Sequence, residues 1–324
     1  MAGAISTPRR GGAAAAASLP GPAMIAGAMC RLFGFRSNVA STAHRSLLEA
    51  ENSLARQARD HADGWGIGWY HGTDPYLLKS EGGAASDERF HRVTRRLSSH
   101  AFLVHVRKAT VGAVDQLNCH PFRHGRWMFA HNGTLWGFDR LREPMLARTS
   151  ASLRPLIFGE TDSEHLFYYL LSAIERAGLC VVGHAEPPVP SVAAALREAS
   201  DQLFALADEL GVQPPSCNYL LTNGSVLIAQ RAGPGLHLAT QKVRCADLES
   251  CQAEKLCMMP LRPLRARPGS GFVRRCNHLL VSSEPIGGED IWEEVPQGHL
   301  LALDAELSLY LYGPTPRFQL APSV

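Results

Sequence analysis

The chain has 324 residues, 45% of them hydrophobic, and a formal net charge of +2. That near-neutral balance gives no electrostatic footprint for a nucleic-acid partner, and no apolar run of about 18 residues marks a membrane-spanning helix. Eight cysteines are scattered without a CxxC pair, so they read as reduced cytoplasmic thiols, not as a disulfide framework. Cys245, Cys251 and Cys257 are evenly spaced but match no zinc-site pattern, and no metal or cofactor is expected. Residues 1–28 are rich in Ala, Gly and Pro and cannot bury a core. Three readings fit them: a disordered or misassigned leader with Met29 as the true start, a propeptide cut before Cys30, or a secretory signal. The last fits least, because Gly and Pro break its apolar run and Met29 would remain in front of Cys30. The expected division is therefore 1–29 as leader and 30–324 as one domain.

From Cys30 onward the signals are regular. Arg31–Arg36 reads as a strand, and the apolar spacing of Leu47, Leu48, Leu54 and Ala58 predicts a helix within Thr42–Arg59. Asp63-Gly64-Trp65-Gly66 opens as a glycine turn and continues as a strand through Tyr70, with Tyr76–Lys79 as its hairpin partner. Asp87–Ser98 reads as a helix capped by Ser86 or Asp87. Ala101–Val106 and Trp127–His131 are apolar enough to be buried strands. Thr161–Arg176 and Val192–Leu210 read as helices, the first with Thr161 or Asp162 as cap. Asn218–Gln230 reads as a hairpin turning at Asn223-Gly224. Phe272–Ser282, His299–Leu303 and Leu307–Leu311 read as late strands, and Pro260–Pro268 as an exposed loop. Strands and helices come in runs without βαβ alternation, which predicts an α+β fold with mostly antiparallel sheets.

Five short runs carry residues suited to chemistry. In Met29-Cys30-Arg31-Leu32-Phe33-Gly34 the cysteine is either a small apolar residue or, as a mature first residue, a thiol with its own α-amine beside it. Such an amine titrates near 7.7 and can take the thiol proton. His105-Val106-Arg107-Lys108-Ala109-Thr110 puts Arg107 at a buried strand end, as half of a structural ion pair or as a bidentate carboxylate clamp. Asn118-Cys119-His120-Pro121 reads as a turn before a strand, with Cys119 as packing and His120 as a candidate site-lining residue. His131-Asn132-Gly133 reads as a tight turn, and that turn could aim the Asn132 amide and the Gly133 N–H at one oxyanion. Thr161-Asp162-Ser163-Glu164 reads as a capping box, which leaves Asp162 to accept from a substrate ammonium. Ser282-Ser283-Glu284-Pro285 reads as a strand-ending turn with no catalytic task, and Trp136 reads as packing or as part of a leaving-group pocket.

With Asp63-Gly64-Trp65-Gly66, these runs stand in the order that resembles a class II glutamine amidotransferase, an N-terminal-nucleophile hydrolase. The resemblance implies a four-layer αββα sandwich. It also implies Cys30 as nucleophile with its own α-amine as base, Asn132 and Gly133 as oxyanion hole, Arg107 on the substrate α-carboxylate and Asp162 on its α-ammonium. It extends to the small stand-alone branch that includes γ-glutamyl amide hydrolases, because the chain has no room for a synthetase domain and no glycine-rich phosphate loop. The expected activity is hydrolysis of the γ-carboxamide of glutamine or a γ-glutamyl compound through a Cys30 thioester. Two alternatives stand beside it: a glutaminase half serving a synthetase or peptidase partner subunit, and a non-catalytic γ-glutamyl-binding subunit. No nucleic-acid or membrane partner is expected.

Overall fold

The computed structural model describes residues 30–42, 44–61, 63–109, 112–183, 185–243, 264–287 and 289–314. The leader, Met29, Thr110, Cys245, Cys251, Cys257 and residues 260–263 of the expected loop lie outside them. In chain order the first strands and helices are β1 (Arg31–Thr42), α1 (Leu54–Gln57), β2 (Trp65–His71), β3 (Asp74–Ser80), α2 (Glu88–Arg96), β4 (Ser98–Val106), β5 (Phe122–His124) and β6 (Trp127–Thr134). Next come α3 (Phe138–Arg148), α4 (Asp162–Arg176), α5 (Val189–Glu209), β7 (Ser216–Thr222), β8 (Leu227–Gln230) and β9 (His237–Lys242). The last are β10 (Phe272–Arg275), β11 (His278–Ser282), β12 (Asp290–Glu294), β13 (Leu300–Leu303) and β14 (Ser308–Tyr312). The strands form two seven-stranded antiparallel sheets, ordered β12-β9-β11-β1-β4-β2-β3 and β10-β14-β13-β8-β7-β6-β5.

Strand periodicity explains the layering. In β1, Leu32 points to one face and Phe33 to the other. Leu32 joins Leu103, Val281, Met128, Ala130 and Leu220 in a core between the two sheets. Phe33 joins Phe102, Val104 and Ile67 against Leu47, Leu54 and Phe90 on the outer side. The second sheet turns Phe129, Tyr219 and Ile228 outward onto α3, α4 and α5. The order is helices, sheet, sheet, helices, the four-layer αββα sandwich expected. No helix among the described residues is long and apolar enough to cross a membrane.

Glycines let the sheets approach. A Cβ on Gly66 would lie 2.0 Å from the His120 carbonyl oxygen, and one on Gly68 2.3 Å from Met128 Sδ. A side chain at Gly66 meets backbone and would force the layers apart, whereas one at Gly68 would displace the Met128 thioether.

Several elements differ from the sequence reading. β1 runs on to Thr42, and the expected helix after it is only short turns, because Ala50 and Ser53 have extended backbones that interrupt it. Phe272–Ser282 is two strands in two sheets. Cys276 N still donates to Leu307 O beside β14, whereas Asn277 O already accepts from Asn38 N beside β1. The chain crosses between layers at that dipeptide.

Candidate active site

Cys30 stands directly before β1, the middle strand of its sheet, next to the end of β4. Its Sγ accepts from Lys108 N at 3.2 Å and donates to Lys108 O at 3.3 Å. The strand start is held from its other side by the 282–284 run. Leu32 N donates to Ser283 Oγ at 3.1 Å, Ser282 Oγ donates to Leu32 O at 3.2 Å, and Arg31 pairs with Glu284 at 2.7 Å. The run read as a plain turn is thus a brace for the backbone that carries the thiol. Burial pushes the Cys30 thiol pKa up; the Lys108 backbone and the Arg107 charge work against this, and Asp162 adds to it. Both charged candidates therefore act electrostatically on the sulfur.

Arg107 is 3% exposed. Its guanidinium donates to Ala113 O at 3.0 Å, Gly112 O at 3.3 Å and Asp63 O at 3.5 Å. Its backbone N donates to Gly64 O at 2.8 Å, and Asp63 Oδ2 accepts from Ala109 N at 2.9 Å. The Asp-Gly-Trp-Gly run, which suggested no chemistry, thus fixes the Arg107–Ala109 segment. Gly64 has φ +130°, and a Cβ there would meet Cys119 Sγ at 2.5 Å, so only glycine fits. Cys119 itself is buried packing, as read.

Asp162 is the first residue of α4, and Thr161 caps the helix by accepting from Glu164 N at 3.2 Å. The capping box is half made, because Glu164 turns back to accept from Gly159 N at 2.5 Å and Phe158 N at 3.4 Å. Asp162 Oδ2 accepts from Leu135 N at 2.8 Å, and its Oδ1 lies 3.3 Å from Ser163 Oγ. This ties α4 to the residues that follow β6. Trp136, next along, is 39% exposed and is not a core residue.

Asn132 and Gly133 do not form a turn. They lie inside β6, opposite Asn218 and Cys217 of β7. The reason is the partner strand: Asn-Gly favours a turn only where no neighbour claims its backbone. Cys217 N donates to Ala232 O on the other side of β7. Gly133 therefore sits in a non-hydrogen-bonded pair, and its N–H points away from β7. The outward N–H expected of a turn thus lies on a strand instead. The neighbouring His131 is held by Ser163 Oγ at 2.8 Å on Nδ1 and Ser216 O at 3.3 Å on Nε2. A carbonyl partner assigns the proton to Nε2.

Beneath the site, His105 and His120 lie with ring centroids 4.2 Å apart, both buried. His120 thus belongs to the space between the layers, not to the site surface. Burial lowers the His105 pKa to about 3, and it lowers those of His120 and His131 as well. The unfolded chain binds these protons near pH 6.5 and the native protein does not, so stability falls as pH drops below that value. For His105 alone the loss between pH 7.5 and 5 is about 2 kcal/mol. Urea unfolding at the two pH values should show a drop smaller by that amount in His105→Gln; an identical drop would refute the assignment.

Residues 29–321 match the family model for glutamine amidotransferases class-II, and the chain belongs to that family. It is 24% identical over 313 residues to probable glutamine amidotransferase DUG3 of Saccharomyces cerevisiae, covering 87% of this chain and 83% of that one. It is 26% identical over 247 residues to the gamma-glutamyl-hercynylcysteine sulfoxide hydrolase of Mycobacterium tuberculosis, covering 74% of this chain and 75% of that one. Putative glutamine amidotransferase YafJ of Escherichia coli is 30% identical over 222 residues, covering 66% and 77%. Among solved structures, a glutamine aminotransferase class-II domain protein from Silicibacter pomeroyi superposes with TM-score 0.55 at 20% identity, covering 89% of this chain and all of that one. The glutamine phosphoribosylpyrophosphate amidotransferase of B. subtilis gives 0.54 at 17% identity, covering 90% of this chain and 50% of that one. The fold is that of the N-terminal-nucleophile hydrolases.

Proposed function

We propose that this protein hydrolyses the γ-carboxamide of glutamine or of a γ-glutamyl compound, through a γ-glutamyl thioester on Cys30 in a chain that begins at that residue. The α-amine of Cys30 takes the thiol proton, and the sulfur attacks the γ-carbonyl carbon. The negative charge that develops on the carbonyl oxygen is met by the Asn132 amide and the Gly133 N–H. Collapse breaks the C–N bond, and the leaving amine departs with the proton from the α-ammonium. Water, deprotonated by the same amine, then attacks the thioester carbonyl, releasing the γ-carboxylate and restoring the thiol. Arg107 holds the substrate α-carboxylate and Asp162 its α-ammonium, so the amide is presented to sulfur in one orientation.

One observation carries this reading. A sulfur pinned on the Lys108 backbone feels an arginine and an aspartate, of opposite sign, that stand on separate elements. That arrangement suits a zwitterionic amino-acid head beside a nucleophile. The hydrolase name of the mycobacterial relative and the amidotransferase names of the others support the same chemistry.

The test is hydrolysis of L-glutamine and of γ-glutamyl alkylamides by protein confirmed by mass to begin at Cys30. Turnover is expected, and Cys30→Ala is expected to abolish it. Equal turnover by that variant would end the proposal. Turnover that appears only on adding a second protein would replace free hydrolysis with service to a partner subunit.

A further inference from the structure

Asn118 has no role in the chemistry above, yet it is 4% exposed and spends both ends of its side chain on backbone. Its Nδ2 donates to Ala113 O at 3.1 Å, the same oxygen that accepts from Arg107 Nη1 at 3.0 Å. Its Oδ1 accepts at 3.2 Å from the N–H of Glu160, two residues before Asp162. One amide thus bridges the loop that seats the guanidinium and the loop that delivers the helix-capping carboxylate. Two glycines give it room. A Cβ on Gly112 would come within 3.1 Å of Asn118 Nδ2, and one on Gly159 within 2.7 Å of its Oδ1. The turn around it is self-braced, with Asn118 N on Asp115 O at 3.1 Å and Leu117 N on Asp115 Oδ1 at 2.6 Å.

We infer that Asn118 is the positioning residue that makes the Arg107 and Asp162 clamps one mechanical unit, fixing the spacing at which the two ends of a glutamyl head are held. The inference rests on the proposed hydrolase reading. An amide of this length is suited to the task because it offers a donor and an acceptor at once. A carboxylate keeps the Glu160 bond but turns an acceptor against the Ala113 carbonyl. An alanine keeps neither bond.

The experiment compares wild type, Asn118→Asp and Asn118→Ala. It measures KM and kcat for L-glutamine, and inhibition by glutaramate, which lacks the ammonium, and by 4-aminobutanamide, which lacks the carboxylate. KM is expected to rise about 10- to 100-fold in Asn118→Ala, with Asn118→Asp between, while kcat stays within about threefold. Both inhibitors are expected to weaken, because both clamps lose their common tie. Melting temperature is expected to fall by a few degrees in Asn118→Ala, where the Glu160 N–H loses its partner, whereas the rate of Cys30 alkylation by iodoacetamide, which reports on the thiol, is not expected to move. An unchanged KM, weakening of only one inhibitor, or a fall in kcat matching the rise in KM would each overturn the inference. If wild-type protein beginning at Cys30 hydrolyses no γ-glutamyl amide, it is the hydrolase reading that fails.

Discussion

Retaining Met29 ahead of Cys30 is expected to lower turnover by about 10²–10⁴, with the fold and the thiol both intact. Burial raises the thiol pKa, so the sulfur is held protonated at neutral pH and needs a local acceptor. The atoms that hydrogen-bond to Sγ among the described residues are the backbone N and O of Lys108, and neither is a base. No histidine or carboxylate hydrogen-bonds to it there. An α-amine two bonds from Cβ fills this gap when Cys30 is first in the chain, and a peptide bond at the same nitrogen removes it. The check uses two preparations, with and without Met29, verified by intact mass. Only the second should show a kcat/KM that rises with pH through the range where an α-amine titrates, near 7.7. Equal rates in the two would mean that another base acts on the sulfur.

The proposed oxyanion pair predicts a second, two-sided result. Asn132→Ala should lower kcat by about 10²–10³ and leave the melting temperature nearly unchanged, because a single amide donor is lost. Gly133→Ala should lower kcat by a similar factor and also destabilise the protein, by about 3 kcal/mol. A Cβ at that position would lie 1.9 Å from Ser216 O and 2.7 Å from His131 Nε2. The first contact is backbone, so β6 and β7 must separate, and the outward N–H turns with the strand. Thermal melts and single-turnover kinetics on both variants would separate the two effects. A destabilised Gly133→Ala with undiminished kcat would show that its N–H has no part in the reaction.

The residues with distinctive chemistry could be read from the sequence, because thiol, guanidinium and carboxylate groups at strand ends and helix starts announce themselves. So could the Thr161 cap, the hairpin at Asn223-Gly224 and the apolar strands. What stayed hidden was decided by distant partners. Helix α3 has Gly137 where a capping side chain would stand and Pro144 in its interior, so local signals argue against it, and packing of Leu141 and Met145 under α4 forms it anyway. The strand identity of Asn132-Gly133 depends on β7, more than 80 residues on. The braces from Asp63, Asn118 and Ser283 act through backbone atoms as far as 251 residues away in the chain, and no local pattern encodes them. The change of sheet at Cys276-Asn277 is invisible for another reason: both halves alternate as strands do, and alternation does not say which layer receives them.

The column of Gly66 and Gly68 carries a consequence beyond packing. Cys30 and Arg107 directly flank strands of one sheet, and Asn132 and Gly133 lie in the other, so the reach from sulfur to the proposed oxyanion donors is set by how closely the layers lie. Warming that loosens the interlayer core would widen this gap while every strand keeps its own ladder. Enzymatic output should therefore fade at temperatures where circular dichroism still reports an intact protein.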